Sequence, residues 1–143
     1  GEDSDFHQQA LYKIGWTYFK QNNYEDALHA YMQLLDETIG GHSSASLPES
    51  LSRTDRERVN DTLRAVSLSF SYLGSNTEVR DYYATRGARS YEPLIYAKLA
   101  ALHLQAEEIR FRVEEAAGPG RVVETWSELD PYLAAHLSLA KKP

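Results

Sequence analysis

The sequence predicts an all-α protein built from antiparallel helical hairpins. Apolar residues recur at three- and four-residue spacing through most of the chain, as expected for amphipathic helices. Short breaks rich in Asn or Gly separate the periodic stretches. With 143 residues, of which 42% are hydrophobic, the chain can bury the core of one domain. We therefore expect one helical domain over residues 1–143.

The first hairpin is predicted between residues 10 and 37. Apolar residues share helical faces before and after the break at Asn22 and Asn23, at positions Leu11, Ile14 and Tyr18, and then Ala27, Tyr31 and Leu34. Asn23 is a suitable N-cap for the second helix, and acidic residues follow in its first turn, where negative charge favours the helix dipole. The break is too short for anything but antiparallel packing.

A polar linker and a second hairpin follow. Gly, Ser and Pro dominate residues 40–50, which are predicted to lie outside any packed helix. Ser46-x-x-Glu49 and Thr54-x-x-Glu57 both have the spacing of a capping box. The second of these opens an apolar-periodic run, which predicts a helix over residues 54–73. A shorter partner helix ends at Gly87, so residues 54–87 are predicted to form a degenerate hairpin.

The third unit, residues 91–143, is predicted to be irregular. Pro93 suits the first turn of a helix, and the apolar face continues through Leu94, Ile95, Leu99 and Leu102. The helical pattern then continues without the turn that a hairpin requires. Gly118, Pro119 and Gly120 break the chain, and two further helices are predicted at residues 121–129 and 131–142.

Composition disfavours several classes of function. The 21 acidic residues outnumber the 15 basic ones, and the formal net charge of -6 disfavours nucleic-acid binding, which needs clustered Lys and Arg. There is no cysteine, so thiolate metal sites and cysteine nucleophiles are excluded. No apolar run is long enough to insert into a membrane, and the acidic start differs from a signal peptide. The chain begins with Gly and not Met, so we interpret it as part of a longer protein.

We also expect no enzymatic activity, no cofactor and no metal. The five histidines lack the spacing that places two ligands on one helical face. Neighbouring carboxylates such as Glu25 and Asp26 point to different sides of a helix, which suits solvation better than acid-base catalysis. The serines near His42 lie in the linker, which cannot hold a nucleophile against a base.

Leu11-x2-Ile14-Gly15-x2-Tyr18, followed by Ala27-x3-Tyr31, resembles the signature of the tetratricopeptide repeat (TPR) over residues 8–41. Leu11 replaces the usual Trp, and Tyr31 the usual Phe. The pattern makes physical sense because small residues allow the two helices to cross closely, while tyrosines fill the adjacent space. The resemblance implies hairpins stacked as a TPR-like right-handed superhelix.

Residues 8–104 are further similar to bacterial TPR proteins of the cell envelope that accompany TonB-type or gliding-motility machinery. That similarity rests on the first repeat and on the stretch from Ser67 to Leu104. It implies a scaffold in the periplasm or at the outer membrane, and leaves a cytoplasmic location open.

In TPR arrays the first helix of each hairpin lines a concave groove that holds a partner. The matching positions predict partner contacts on the first helix at Gln9, Tyr12, Lys13, Trp16, Phe19 and Lys20. On the later units they are Val66, Phe70 and Leu73, and then Lys98, Ala101 and Gln105. Core packing between units is the alternative interpretation for Trp16, Phe19 and Phe70. Aromatic rings in such a groove favour an apolar or Pro-rich segment or a partner helix.

A second contact patch is predicted from Tyr82, Arg86, Arg89 and Tyr91, which could hold an acidic partner segment or simply form a hairpin corner. The sequence therefore predicts a non-enzymatic scaffold that docks a protein or peptide. Three alternatives stay open. The chain could be a stacking segment of a larger array, a homo-oligomer joined through its uncapped ends, or a pocket for a small molecule or lipid.

Overall fold

The computed structural model describes residues 2–74 and 76–117, and within them the protein is all-α, as predicted. Five helices pack against each other and no strand is present in these ranges. Their bounds are α1 (Glu2–Lys20), α2 (Tyr24–Ile39), α3 (Arg53–Leu73), α4 (Asn76–Arg86) and α5 (Glu92–Ala117). The helices predicted at residues 121–129 and 131–142 lie outside the described part of the chain.

The central helix is α3. It packs against α2, α4 and α5 and touches α1, while α1 and α2 pair as a hairpin. The main core is formed by large apolar side chains from α2 to α5, including Leu28, Tyr31, Leu35, Leu63, Phe70, Tyr91 and Ile95. A smaller apolar cluster joins α1, α3 and α5 through Trp16, Leu68, Leu102 and Ala106.

The first hairpin forms at the predicted positions for the predicted local reasons. Asn23 caps α2, since its Oδ1 accepts a hydrogen bond from the backbone N–H of Asp26 at 3.4 Å. Gly15 is needed where α1 crosses α2, because a Cβ at this position would lie 2.6 Å from Cε1 of Tyr31. Ile14 is the exception in this hairpin: 46% of its surface is exposed, so it contributes little to the contact between the helices.

The start of α3 differs from the prediction. Ser52 is the N-cap, and its Oγ accepts a hydrogen bond from the backbone N–H of Asp55 at 3.1 Å. Thr54 lies inside the first turn, so the capping box predicted there is wrong. The box predicted at Ser46 begins no helix either, because residues 42–52 form an irregular connection.

The last described helix, α5, runs without interruption over 26 residues. Within the described part of the third unit, residues 92–117, the helix therefore continues without the turn that a second hairpin helix would need. None of the five described helices has both the length and the apolar content that crossing a membrane requires.

Candidate functional site

A row of polar side chains crosses α1, α3 and α5, and we call it the three-helix face. Its members are Gln8, Tyr12, Arg58, Asp61, Arg64 and Lys98. On the α1 side, Arg58 Nη2 donates to Gln8 Oε1 at 2.8 Å. Next to it, Asp61 forms a hydrogen bond with the Tyr12 hydroxyl. The row therefore begins as a direct polar connection between α1 and α3.

Towards α5 the row continues through charged groups. Arg64 Nη1 donates to Asp61 Oδ1 at 3.4 Å, and Arg58 also forms an ion pair with Asp55 at 2.9 Å. Lys98 has no hydrogen bond or ion pair with any residue that the structure describes. The carboxylates of the face are thus matched to arginines, and Lys98 adds a positive charge without a counter-charge.

Burial and neighbouring charges shift the pKa values of two side chains on this face. Burial of the ring, followed by the charge and hydrogen bond of Asp61, raises the pKa of Tyr12 to about 12. Partial burial, followed by the nearby charge of Arg64, lowers the pKa of Lys98. An anionic partner group would oppose this lowering of the Lys98 pKa, because it would supply a counter-charge for the ammonium group.

Residues predicted to line the groove on α1 fall into two groups. Gln9, Lys13 and Lys20 are exposed and share one side of α1, which adjoins the side that carries Tyr12. Trp16 is only 7% exposed and stacks on Phe19, with ring centroids 5.9 Å apart. Its burial against α3 and α5 matches the alternative interpretation of core packing between units.

On α3 the predicted residues lie on the wrong side. Val66 and Phe70 are both fully buried, and the ring of Phe70 packs edge-on against Tyr82 of α4 at 5.7 Å. Phe70 therefore belongs to the core and is not exposed on a groove shared with α1, which corrects the prediction for this residue. Leu73 is partly exposed, but it lies on the same side of α3 as Phe70.

The sequence analysis missed Arg58, Asp61 and Arg64, which form the α3 part of the face. Their three-residue spacing places them along one side of the helix, and this polar stripe was the available signal. On α5, the predicted residues Lys98 and Gln105 are half-buried and Ala101 is exposed.

The second predicted patch is a corner whose charges are already paired. Arg89 donates from Nε and Nη2 to the two carboxylate oxygens of Asp36 at 3.2 and 3.3 Å, and the Tyr91 hydroxyl donates to the same carboxylate. Arg86 lies over the Tyr82 ring, with its guanidinium carbon 4.6 Å from the ring centroid. Tyr82 and Tyr91 are both buried.

Because Asp36 on α2 satisfies both Arg89 and Tyr91, the corner ties the α4–α5 connection to α2. Arg86 reaches Glu25 of α2 in the same way, at 3.4 Å. These contacts match the alternative interpretation of the patch as a hairpin corner, and they leave little free positive charge for an acidic partner.

The described residues contain no group of three or more His, Asp or Glu side chains placed to bind a metal ion. Comparisons of the chain with protein-family models, with curated proteins and with solved structures find no match. The function is therefore proposed from the arrangement of the three-helix face and not from similarity to a known protein.

Proposed function

We propose that this protein is a non-enzymatic scaffold that holds a partner protein or peptide on the three-helix face. The observation that carries the proposal is the polar row itself, which crosses three separate helices and ends at Lys98, whose charge has no partner among the described residues. A surface shared by helices that are distant in sequence can contact several residues of a partner at once. We further propose that the hairpins stack as a TPR-like right-handed superhelix and that the protein works in a bacterial cell-envelope complex.

The face is better suited to a partner with hydrogen-bonding and acidic groups than to a purely apolar one. The large rings expected to make the groove apolar are mostly buried, as Trp16 and Phe70 show. What remains accessible is the amphipathic Tyr12, the exposed Lys13 and Lys20, and the half-buried Lys98. Charge complementarity of this kind directs association and selects the partner.

The test is affinity capture from envelope and cytosolic lysates with two charge-matched variants. Lys13→Glu combined with Lys98→Glu reverses two positive charges, that of Lys98 on the face and that of Lys13 on the adjoining exposed side of α1. Arg53→Glu combined with Arg112→Glu makes the same change in net charge at exposed positions elsewhere. We expect one protein to be retained by the wild type and the control, and to be reduced at least about fivefold on the face variant, since attraction becomes repulsion there.

Equal retention by all three proteins would contradict the proposal, because binding would then use another surface. Circular dichroism of both variants should match the wild type, which separates loss of binding from loss of folding.

A second candidate is a stacking role, either within a longer array or between copies of the chain. Large apolar side chains are exposed on the two outermost described helices, at Phe6 of α1 and at Leu104 and Phe111 of α5. Such positions are typical of helices that pack on a further unit. Sedimentation of the wild type and of Leu104→Ser/Phe111→Ser would show a concentration-dependent dimer only in the wild type if copies associate through α5.

A further inference from the structure

A pocket of about 270 Å³ opens between α2, α3 and α4. Its apolar lining comes from Leu28 of α2, Phe70 and Leu73 of α3 and Tyr82 of α4. At 100° per residue, Phe70 lies about 180° and Leu73 about 120° around α3 from Asp61, so the pocket faces away from the three-helix face. It is therefore a separate site, and the function proposed above does not use it.

The rim of the pocket is polar and carries an excess of negative charge. Glu25 of α2 pairs with Arg86 of α4 at 3.4 Å, and Arg86 also lies over the Tyr82 ring and within 3.4 Å of His29 Nε2. Asp81, on the same rim, has no hydrogen bond or ion pair from its carboxylate to any described residue. Among the described residues of the rim, two carboxylates thus face one guanidinium, and Asp81 is the carboxylate that has no ion-pair partner there.

The volume limits what can enter. Pockets for drug-sized molecules commonly measure about 300–1,000 Å³, so this one suits something smaller, such as a single large side chain. Buried anchors of this kind supply much of the energy of protein-protein contacts when they fill a pocket on the partner. The apolar lining of the pocket suits an apolar side chain of a partner as the anchor. The negative charge of the rim favours a basic residue next to that anchor in the partner.

We infer that this pocket binds a segment of a partner protein that inserts one large apolar side chain and places a Lys or Arg beside Asp81. An acidic segment is disfavoured, because Arg86 is already paired with Glu25 while Asp81 would repel the incoming carboxylate. The formal net charge of -6 adds a long-range attraction for a basic segment.

The experiment is an NMR titration of the full-length 15N-labelled chain with three synthetic peptides. The first, Gly-Leu-Lys-Lys-Gly, has both predicted features. The second replaces its Leu by Ala, and the third replaces both Lys by Glu. Titration to about 5 mM detects even millimolar binding. We expect the first peptide to shift the amide signals of Leu28, Leu73 and Thr85, and the second to bind about tenfold more weakly, since it lacks most of the buried apolar surface.

Two variants with matched controls localise the binding. Asp81→Asn should weaken the first peptide about two- to fivefold, which is the range of a partly exposed ion pair, whereas Glu49→Gln in the exposed linker should not. Thr85→Trp should block the pocket mouth and abolish binding. Thr17→Trp is its control, because Thr17 is also an exposed helical Thr whose hydroxyl donates to a carbonyl four residues earlier.

The inference is overturned if the first peptide causes no shifts at the pocket, if Thr85→Trp binds it as well as the wild type, or if the Glu peptide binds equally well. Shifts confined to the three-helix face would overturn the inference and leave the proposed function standing. Shifts of the pocket amides on dilution of the protein alone would identify a second copy as the occupant, and would contradict assignment to a basic partner segment.

Discussion

At single positions, the contact between α1 and α2 depends on the absence of a side chain at Gly15. The Tyr31 ring occupies the space where a Cβ would be, and this ring is itself fully buried. It also packs edge-on against Tyr12, with centroids 6.4 Å apart, so it has little freedom to move. One glycine thus fixes the approach of two helices and, through Tyr12, the position of a residue on the three-helix face.

Replacing Gly15 by Ala should therefore destabilise the protein, although Ala is the better helix former by about 1 kcal/mol. Overpacking against Tyr31 costs about 1–3 kcal/mol, so we expect a net loss of up to about 2 kcal/mol, and a larger loss for Gly15→Leu. Urea denaturation measures both. Ala10→Leu, at an exposed position of the same helix, is the control and should change stability by less than about 0.5 kcal/mol. An unchanged Gly15→Leu variant would mean that the helices do not cross here.

At the scale of elements, α3 shows what sequence periodicity can and cannot predict. Its range was predicted as residues 54–73 and is Arg53–Leu73, because the apolar period is a local property of the chain. Which side of α3 faces a partner depends on the helices packed around it, and those contacts are not local. The repeat pattern assigns Phe70 to the groove, yet Tyr82 of α4 packs against its ring and covers it. The missed cap at Ser52 has a similar origin, since two serine or threonine caps compete within three residues.

The connection between α4 and α5 depends on one carboxylate of α2, that of Asp36. It accepts hydrogen bonds from Arg89 and from the buried Tyr91. In an Asp36→Ala variant both would lose these bonds, although Arg89 would keep its bonds to backbone carbonyls and Tyr91 its 3.3 Å bond to the Met32 carbonyl. We expect a loss of about 1–3 kcal/mol, the range for removing hydrogen bonds to a charged group. Glu37→Ala is the matched control, because Glu37 forms only an exposed ion pair with His7, at 3.0 Å, and should cost less than about 1 kcal/mol. Equal melting temperatures for the two variants would show that the corner contributes no stability.

At the scale of the molecule, the described helices leave different kinds of surface on the two sides of α3. One side carries the paired charges of the three-helix face, and the other opens into the pocket between α2 and α4. The repeat-like pattern of residues 8–41 predicted a binding surface on the first side, and its α1 residues Gln9, Lys13 and Lys20 are indeed exposed. Four residues of the pocket lining were predicted as partner contacts from the sequence, namely Phe70, Leu73, Tyr82 and Arg86. That they share one pocket was not predicted, because the pocket forms only where three helices from different parts of the chain meet.

Several tyrosines lie in the core, and this makes the whole molecule sensitive to alkali. Burial is the largest cause that raises the pKa of Tyr31, of Tyr83 and of Tyr91 above the usual value of about 10. The unfolded chain therefore releases these protons first as the pH rises. Their contribution is fully present below about pH 10 and is lost above it, by about 1.4 kcal/mol per pH unit for each tyrosine.

Because a domain of this size is stable by only about 5–15 kcal/mol, we expect cooperative unfolding within a few pH units above pH 10, with a constant melting temperature between pH 7 and 9. Circular dichroism at 222 nm and tyrosinate absorbance at 295 nm should change together. Tyr83→Phe should reduce the loss of stability at alkaline pH without destabilising the protein at pH 7, since the buried Tyr83 hydroxyl has no hydrogen-bond partner in the described part of the chain. Tyr96→Phe, at a position 40% exposed, is the control and should leave the profile unchanged. Complete tyrosine ionisation near pH 10 with intact helices would contradict the buried placement of these rings.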